Sequence, residues 1–445
     1  MITNGRTLSR PTPQPEDEMN FLRILTVLNV LHDVFTQKRS TLQFVEFWFR
    51  HGERTPTRYM YFPSDVPLVP YSEAEAGELT NKGIQQAYQR GKFIRRNYDK
   101  FLGDTYHPSQ IHVWAGDDNR TVISAEVVLA AVYEMDNEHS KLETLSWQPV
   151  ATHNDPTIDW VAMGIEGLCT VYEKTFYESP EYQSILDAFN PTFIEFLENH
   201  TGVAIRSPID FDHVTDALET KLMMNNFELP FPKWAEPIRL NITNIRSIFH
   251  QRIADAQRNT VGMYHSELFM SYIEDHISRP SRKKNRAVFI SGHDVNLIAI
   301  GRQLNIAPLT TAIVPYAALL VVELHKINGS YFIEIWYASS LDDQLEQLTI
   351  PECGNPCSLG ILRNILKDER LSRVDWELKC RGFGPQMGSD SIVIALILLI
   401  VTFFIATVML LYRTLSYRKQ LKDLKDPERR RLLLDNVDTL DNSYP

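Results

Sequence analysis

A histidine stands between two arginines at His51, with Arg50 before it and Arg54 after it. Arginine presents a planar fork of donors that matches the oxygens of a phosphate group. A neutral imidazole nitrogen beside such arginines can attack phosphorus and form a covalent intermediate. Gly52 has no Cβ, so the backbone can turn and approach a ligand closely here. This pattern predicts phosphoryl transfer; the alternative is a surface turn with two solvated arginines and an unrelated histidine.

Polar groups also follow two other predicted strands. Arg120 comes shortly after the alternating segment 110–115, where a helix is predicted to begin, and His293 and Asp294 follow the apolar segment 288–290. Ligands gather at the carboxyl ends of the strands in open α/β sheets. Taken alone, an arginine at a helix start is usually solvated and a His-Asp pair in a loop usually has no chemical role. These residues therefore gain their significance from the segment around His51.

The elements that must position these side chains indicate an α/β core. The segment 42–49 is rich in aromatic and β-branched residues, which predicts a buried strand directly before Arg50. Thr80 is suited to cap a helix whose apolar positions recur at helical spacing. Two further strands, 317–324 and 331–337, surround an Asn-Gly dipeptide, which favours a tight hairpin turn. The sequence predicts a mainly parallel sheet with an antiparallel edge.

The part between the predicted strands has a different character. Prolines divide residues 155–265 into short helical pieces with many aromatic residues and little strand alternation. We expect a helical cap insert there, between a first core part at 41–154 and a second at 266–389. Such an insert would close over the carboxyl edge of the sheet and shape the substrate entrance. The alternative is a purely structural appendage.

Composition narrows the classes of function. The 445 residues allow two or three compact units, and contents of 44% apolar and 23% charged residues are typical of a globular protein. A net charge of −11 argues against a nucleic-acid partner, because binding a phosphate backbone requires a basic face. No grouping of residues with the spacing of a metal site is visible, so we expect neither a metal nor another cofactor.

A membrane span is predicted near the C-terminus. Between Asp390 and Arg413, about 22 uncharged and mostly aliphatic residues would cover roughly 33 Å as a helix. We place the span at 391–412; the alternative is a buried core helix. Basic residues are frequent in the tail, 413–445, and positive residues stay cytoplasmic. The part before the span would then face the lumen or the exterior.

This orientation requires an export signal upstream. Residues 1–18 are polar and proline-bearing, which predicts disorder. From Met19 a short charged start precedes the apolar segment 24–31, which is typical of a secretory signal, although no cleavage site follows clearly. The alternative is a first amphipathic helix. The predicted topology favours a signal within residues 1–40.

Cysteines and sequons fit a luminal protein. An even number of cysteines in a chain with a membrane span suggests two disulfides, and the alternative is four buried thiols; the positions are Cys169, Cys353, Cys357 and Cys380. Asn-x-Ser/Thr sequons begin at Asn119, Asn199, Asn241 and Asn328. We expect glycans on the last three, because Asn119 adjoins Arg120 at the predicted site.

Three segments together resemble a known family. The pattern Arg-His-Gly-x-Arg-x-Pro at 50–56, the Arg-Thr and Ser-Ala pairs within 120–125, and the His-Asp pair at 293–294 resemble, in the same order, the active-site segments of the histidine acid phosphatases. The similarity covers residues 42–381. It implies a phosphoglycerate-mutase-like α/β core with a helical cap. The span and the short tail resemble the membrane-bound lysosomal or testicular type.

The resemblance implies a role for each site residue and no metal or other cofactor. His51 would be the nucleophile that forms a phosphohistidine, and Asp294 would give a proton to the leaving oxygen. Phosphate binding would fall to Arg50, Arg54, Arg120 and His293. It also implies the disulfides Cys353–Cys357 and Cys169–Cys380. A further disulfide that is common in acid phosphatases has no cysteines in this chain.

Two other functions stay open at this point. Phytases and other inositol polyphosphate phosphatases share the motifs, but they favour a basic entrance that this acidic chain does not predict. A catalytically silent membrane receptor of the same fold is the other alternative. The expected substrate is a small-molecule or protein phosphomonoester, and the resemblance implies a homodimer as one option.

The cytoplasmic tail carries a pattern of its own. Glu428 with Leu432 and Leu433 resembles the acidic dileucine signal that clathrin adaptors bind. The alternative is a basic tail that anionic lipids attract. A sorting signal predicts residence in endosomes or lysosomes, and its absence predicts the cell surface.

Overall fold

The computed structural model describes residues 41–60, 62, 76–134, 147–161, 169–223, 231–279, 286–382, 389–425, 427–428 and 431. The chain divides into two compact units, Met1–Arg381 and Gly382–Pro445. The predicted signal within 1–40 and the leucines of the tail pattern lie outside the described residues.

One mixed sheet forms the centre of the first unit. Within the described residues its order is β3-β2-β4-β1-β5-β6-β7, with β8 also paired to β6. The strands β1 to β4 pair in parallel, whereas β5 to β8 pair antiparallel. This confirms the predicted parallel core with an antiparallel edge. The strands are β1 (Leu42–Arg50), β2 (Ile111–Ala115), β3 (His153–Asn154), β4 (Ala287–Gly292), β5 (Leu319–Ile327), β6 (Ser330–Ala338), β7 (Glu346–Leu348) and β8 (Cys357–Ser358).

Helices cover the sheet and form a separate cap. The described α-helices are α1 (Asn81–Leu102), α2 (Asn119–Val132), α3 (Thr170–Tyr177), α4 (Pro180–Gln183), α5 (Pro191–Thr201), α6 (Pro208–Met223), α7 (Ile242–Ala256), α8 (Met263–Ser278), α9 (Asp294–Leu304), α10 (Ala307–Thr311), α11 (Leu359–Ile365), α12 (Arg373–Arg381) and α13 (Ser389–Lys425). Short 3₁₀ turns lie at Pro156–Val161, Ser184–Ala188 and Lys233–Asn241, and a π turn lies at Arg258–Gly262.

Strand β1 is buried on both faces, which explains its apolar sequence. Phe44 and Trp48 belong to one core cluster, whereas Phe47 and Phe49 belong to the cluster on the opposite face. Alternation along a strand sends successive side chains to opposite faces. The first cluster includes residues of α8 and α9, and the second includes residues of α1 and α2.

The helices α3 to α7, which we call the cap, pack around a third apolar cluster. Its buried members include Phe211, Leu218 and Phe249. The predicted insert of 155–265 contains these helices, but Ile158, near its beginning, belongs to the core cluster beside the sheet. The insert's boundaries therefore remain a prediction.

Two disulfides are present, and they are the two pairs that the resemblance implies. Cys169–Cys380 joins the start of α3 to α12, whose Trp376 is fully buried beside Tyr172. Cys353–Cys357 closes a small ring before α11. The alternative of four free thiols is wrong.

The second unit contains one long apolar helix, α13. Residues Ile394–Lys422 within it are long and apolar enough to cross a membrane, with a mean hydropathy of 3.1 in the most apolar window. None of that window is buried. By length and composition, this helix is the one candidate span within the described residues, and most of the predicted span of 391–412 falls within it.

Candidate active site

The three predicted segments meet at one cavity of about 360 Å³. Their strands are neighbours in the order β2-β4-β1, so the ends of these parallel strands lie side by side. All six predicted residues line this cavity: Arg50, His51, Arg54, Arg120, His293 and Asp294. Cap residues of α6 and α7 line it as well, namely Asp212, His213, Arg246, Phe249, His250 and Ile253.

Hydrogen bonds of the backbone and the ring fix His51. Its N–H donates to the carbonyl of Gly292 at 2.9 Å, and its own carbonyl accepts from the N–H of Ala317 at 3.1 Å. The ring Nδ1 lies 2.7 Å from the carbonyl of Gly52. Since a carbonyl only accepts, Nδ1 carries the proton, and Nε2 of the neutral ring keeps its lone pair. Burial, followed by the charge of Arg120, lowers the pKa of His51 well below its usual value.

Gly52 is required by the close approach of α1. A Cβ on Gly52 would lie 2.1 Å from the carbonyl oxygen of Gly83, and a Cβ on Gly83 would lie 2.0 Å from that of Glu53. Thr80 caps α1 by accepting from the N–H of Gly83 at 3.0 Å, as the sequence predicts. The first turn of α1 thus packs backbone to backbone against the loop that carries His51.

Arg50 connects the strand end to the predicted acid. One terminal nitrogen lies 3.0 Å from Oδ2 of Asp294, and the other donates to the carbonyl of Val314 at 2.5 Å. The guanidinium lies over the ring of Tyr316, 4.1 Å from its centroid, in a cation–π arrangement. Its Nε is buried and has no hydrogen-bond partner within the described part of the chain.

Arg54 forms a buried pair with the cap. Its two terminal nitrogens donate to the two oxygens of Asp216 on α6, at 2.7 and 3.2 Å. Asp216 also accepts from the N–H of Thr57 at 3.0 Å. Burial alone would raise the pKa of Asp216, but Arg54 and Arg246 outweigh it and hold that pKa far below its usual range. This carboxylate fastens the cap to the loop of His51.

Arg120 is placed by the start of α2. It pairs with Asp118, the residue that precedes that helix. Burial lowers the pKa of Arg120, although Asp118 opposes this effect. The Nε of Arg120 is buried and makes no hydrogen bond among the residues that the structure describes. Arg50 and Arg120 therefore each retain a donor.

Asp159 orients His293. The ring Nε2 lies 2.7 Å from Oδ1 of Asp159, which lies in a 3₁₀ turn. The backbone N–H of Asp117 also donates to Asp159. Gly116 leaves room for this carboxylate, because a Cβ there would lie 1.9 Å from its Oδ1. His293 lines the cavity, and Asp159 contacts its ring nitrogen Nε2.

Asp294 is an ion-paired carboxylate at the start of α9. Its Oδ1 accepts from the N–H of Val295 at 2.8 Å, and its Oδ2 faces Arg50 and lies 3.3 Å from Nδ1 of His250. Burial alone would raise the pKa of Asp294, but Arg50 and then His250 outweigh it and lower that pKa well below the usual value. The carboxyl must therefore gain a proton before it can act as an acid.

A family model described as the histidine phosphatase superfamily (branch 2) matches residues 41–338. The chain belongs to this superfamily. Among curated proteins it is 27% identical to lysosomal acid phosphatase of Pongo abelii over 417 residues, covering 90% of this chain and 93% of that one. It is 27% identical to prostatic acid phosphatase of Mus musculus over 400 residues, covering 85% and 99%. This histidine phosphatase is therefore a phosphomonoester hydrolase of the acid phosphatase type.

A likeness to a solved structure supports the fold. A phytase of Hafnia alvei in complex with tartrate superposes with a TM-score of 0.50 at 17% identity, covering 74% of this chain and 97% of the phytase. At this identity the likeness concerns the fold alone. It agrees with the α/β core and helical cap that the resemblance implies.

Among the described residues of this histidine phosphatase, two clusters have the donor types of a metal site: Glu323, His325 and Glu334 in the sheet, and Asp118, Asp159 and His293 near the cavity. Ligand atoms of Asp118, Asp159 and His293 lie within 4.8 Å of one another. However, Asp118 pairs with Arg120, and Oδ1 of Asp159 is engaged by His293. The carboxylates thus already have cationic or hydrogen-bonding partners.

Sequence reasoning missed several residues of the histidine phosphatase site. Asp159 lies in an irregular turn, and Asp216, Arg246 and His250 lie on cap helices without any recognisable motif. A buried charge on a helix face is the only signal that the sequence offers, and it does not say which partner the charge meets. Their roles follow from tertiary contacts between distant segments.

Proposed function

We propose that this histidine phosphatase hydrolyses phosphate monoesters through a phosphohistidine on His51. The observation that carries this proposal is the hydrogen bond between Nδ1 of His51 and the carbonyl of Gly52, at 2.7 Å. It leaves Nε2 as the nucleophilic atom of a neutral ring beside three arginines. The guanidinium groups of Arg50 and Arg120 line the same cavity and supply positive charge for the phosphoryl oxygens.

In the first step, Nε2 of His51 forms a bond to phosphorus while the bond from phosphorus to the ester oxygen breaks. Arg50, Arg54 and Arg120 neutralise the charge on the other oxygens of the phosphoryl group. Asp294 gives its proton to the departing oxygen, which leaves as an alcohol. The proton stays on Nδ1 of His51 and is donated in a hydrogen bond to the carbonyl of Gly52 throughout.

Substrate binding prepares Asp294 for this role. The phosphate dianion takes up the positive charge of Arg50 that otherwise holds the carboxylate ionised. The dianion also repels a negative carboxylate, and both effects raise the pKa of Asp294. The protonated fraction rises further as the pH falls, which suits an enzyme that works in acid.

In the second step, water attacks the phosphorus of the phosphohistidine. The carboxylate of Asp294 takes a proton from that water, the bond between Nε2 and phosphorus breaks, and inorganic phosphate leaves. His293 lines the cavity beside the phosphoryl group, and its Nε2–H donates to Asp159, which holds the ring in place. Asp294 thus regains in the second step the proton that it gave to the leaving oxygen in the first.

We also propose surroundings for the catalytic part. We place it in the lumen or exterior, tethered by α13, with the tail in the cytosol and with a signal in residues 1–40. Glycans are proposed on Asn199, Asn241 and Asn328, all of which are exposed. Asn119 is exposed too, so burial does not explain why this sequon would lack a glycan. Residence in lysosomes or endosomes, sorting by clathrin adaptors and a homodimer stay proposals that follow from the resemblance.

An inositol polyphosphate phosphatase is the second candidate, because a phytase shares this fold. The charge pattern favours a single phosphate instead. Each arginine that lines the cavity has a carboxylate partner, and the pairs are Arg50–Asp294, Arg54–Asp216, Arg120–Asp118 and Arg246–Asp212. Among the described residues that line the cavity, no arginine is thus left without a carboxylate partner for further phosphates.

A panel of substrates tests the proposal. The purified luminal part, with both disulfides intact, would be assayed across pH with aryl and alkyl phosphates and with inositol hexakisphosphate. We expect turnover of the monophosphates, fastest in acid, and at least about tenfold lower kcat/KM for inositol hexakisphosphate. Absence of monoester hydrolysis at every pH would contradict the proposed function, and a preference for the hexakisphosphate would favour the second candidate.

A further inference from the structure

A buried arginine of α1 lies behind the catalytic loop. Arg90 is fully buried and is not among the described residues that line the cavity. Its Nε donates to the carbonyl of Ala317 at 2.6 Å, and one terminal nitrogen donates to the carbonyl of Ser340 at 2.9 Å. Ala317 precedes β5 and Ser340 follows β6. One side chain thus joins the segment before β5 to the segment after β6.

The guanidinium of Arg90 is a charged group in an apolar part of the fold. It lies over the ring of Phe93, 5.0 Å from the centroid. Burial lowers the pKa of Arg90 to about 10, although Tyr337 and Asp343 oppose this effect. The group therefore stays protonated in neutral and acidic solution. A buried charge needs fixed polar partners, and a hydrogen bond from a charged donor is stronger than one from a neutral donor.

The carbonyl that Arg90 binds belongs to a residue with an unusual backbone conformation. Ala317 has a φ of 55°, in the left-handed region that is disfavoured for a residue with a Cβ. Such a conformation persists only where the surroundings fix it. In this conformation the N–H of Ala317 donates to the carbonyl of His51 at 3.1 Å, while its own carbonyl accepts from Arg90. A single peptide segment thus connects Arg90 to the nucleophile.

The other backbone contacts of this strand end do not pass through Arg90. The N–H of Arg50 donates to the carbonyl of Ala318 at 3.1 Å, and the N–H of His51 donates to the carbonyl of Gly292 at 2.9 Å. These two bonds hold the strand end to its neighbours on both sides. The carbonyl of His51 is therefore the contact that depends on the conformation of Ala317.

We propose that Arg90 is a positioning residue that orients His51 for attack by fixing the backbone of Ala317. This inference rests on the proposed function, in which His51 is the nucleophile. A displacement of about 1 Å in a reacting group can slow a reaction by about 100-fold. Arg90 does not touch the phosphoryl group, so its loss should slow the formation of the bond to phosphorus and should leave phosphate binding nearly unchanged.

Substitutions at Arg90 separate positioning from general stability. Arg90→Met keeps an apolar stem but removes the charge and the donors, whereas Arg90→Lys keeps the charge without the planar fork that reaches two carbonyls. Arg96→Met, at an exposed arginine of the same helix, is the matched control.

The full-length proteins would be assayed well below the Tm of each variant. The substrates are glycerol 2-phosphate, whose alkoxide leaves poorly, and 4-nitrophenyl phosphate, whose phenolate needs little protonation. Inorganic phosphate, used as a competitive inhibitor, reports binding through its inhibition constant, and thermal unfolding reports stability.

We expect Arg90→Met to lower kcat/KM by about tenfold or more for both substrates, because the position of the nucleophile affects both reactions alike. The inhibition constant of inorganic phosphate should change by less than about threefold, since the arginines that line the cavity remain. Arg90→Lys should lose less than Arg90→Met, because one carbonyl keeps a charged donor. Arg96→Met should match the wild type.

A second substitution tests the connection through Ala317. Glycine adopts a left-handed φ about as readily as a right-handed one, so Ala317→Gly lowers the cost of the conformation that Arg90 stabilises. Adding Ala317→Gly to Arg90→Met should therefore recover about threefold or more in kcat/KM for both substrates. A side chain that only fills space beside α1 would not be compensated by a glycine at this position.

Other outcomes overturn the inference. Wild-type kcat/KM in Arg90→Met together with a lower Tm would make Arg90 a purely structural residue. A loss confined to glycerol 2-phosphate, a loss matched by weaker binding of inorganic phosphate, or no recovery on adding Ala317→Gly would each exclude positioning through Ala317. If Arg90→Met does not fold, Arg90→Lys decides alone, and wild-type kcat/KM in that variant overturns the inference.

The same assays keep this inference separate from the proposed function. A wild-type protein that hydrolyses neither substrate would contradict the proposed function itself. An active wild type with unaffected Arg90 variants would contradict only the role of Arg90.

Discussion

The two sides of the catalytic cavity are held by different forces. On the side of the strand ends, the backbone of His51 bonds to Gly292 and Ala317, and its ring bonds to Gly52. On the cap side, the order comes from buried charges, with Asp216 pairing to both Arg54 and Arg246. Sheet hydrogen bonds set the first side, and side-chain ion pairs set the second.

This difference has a consequence for mutation and pH. A strand end stays in place when one of its side chains is replaced, because the backbone ladder remains. A buried ion pair does not stay in place in this way, since removal of one partner leaves the other charge without compensation. Changes at the strand ends should therefore alter chemistry without unfolding, and changes in the cap should alter stability and chemistry together.

The largest expected effect is that of His51→Ala. We expect kcat to fall by about four orders of magnitude or more, because the covalent route is lost with the nucleophile. The urea midpoint of unfolding should stay close to that of the wild type. Retention of a tenth of the wild-type activity would contradict the assignment of His51 as the nucleophile. A large loss of stability would contradict the statement that changes at the strand ends alter chemistry without unfolding.

Asp216→Ala should lower both the stability and the activity of the protein. Loss of this carboxylate leaves Arg54 and Arg246 buried beside each other with less compensation, which should cost about 3–5 kcal/mol in the free energy of unfolding. Activity should fall as well, because Arg54 loses the pair that positions it. Urea unfolding would measure the cost, with Asp187→Ala at an exposed cap position as the matched control. If both variants unfold alike, the cap is not fastened by this carboxylate.

Asp294→Asn should act on the leaving group. An amide cannot give up a proton, so kcat/KM for glycerol 2-phosphate should fall by about 100-fold or more. The loss for 4-nitrophenyl phosphate should be much smaller. Equal losses for the two substrates would show that Asp294 is not the acid.

The smallest expected effect concerns Glu46, a fully buried carboxyl in β1 that accepts from Nε1 of Trp48 at 2.7 Å. Burial raises the pKa of Glu46 well above its usual value. The contribution of Glu46 to the free energy of unfolding is therefore fully present below the pKa that Glu46 has in the unfolded protein. It is lost as the pH rises through the higher pKa that Glu46 has in the folded protein. Glu46→Gln should raise Tm at pH 7 and leave it nearly unchanged at pH 4. A gain of equal size at both values would place its origin in packing.

The strand-end side was predictable because its signals are local. The segment 42–49 is apolar and rich in aromatic and β-branched residues, and the Asn-Gly turn at 328–329 does adopt the left-handed backbone that such hairpins need. Polar residues directly after predicted strands then fall at one sheet edge by topology alone. The resemblance of the motifs to the histidine acid phosphatases implied the roles of the site residues on that side.

The cap side was not predictable because its order is non-local. Asp216 and Arg54 are separated by 162 positions, and His250 meets Asp294 across a separation that no periodic pattern encodes. Helical periodicity says which face of α7 is buried, but not that a carboxylate lies opposite. Only the folded arrangement reveals the pairs.

Trapping the phosphoenzyme tests the central claim most directly. Wild-type and His51→Ala proteins would be mixed with a ³²P-labelled monoester, quenched within one turnover and treated with acid or with alkali. Our account predicts label on the wild type that survives alkali and is lost in acid, as a phosphohistidine is, and no label on His51→Ala. An adduct stable to acid, or label on His51→Ala, would contradict a phosphohistidine at His51.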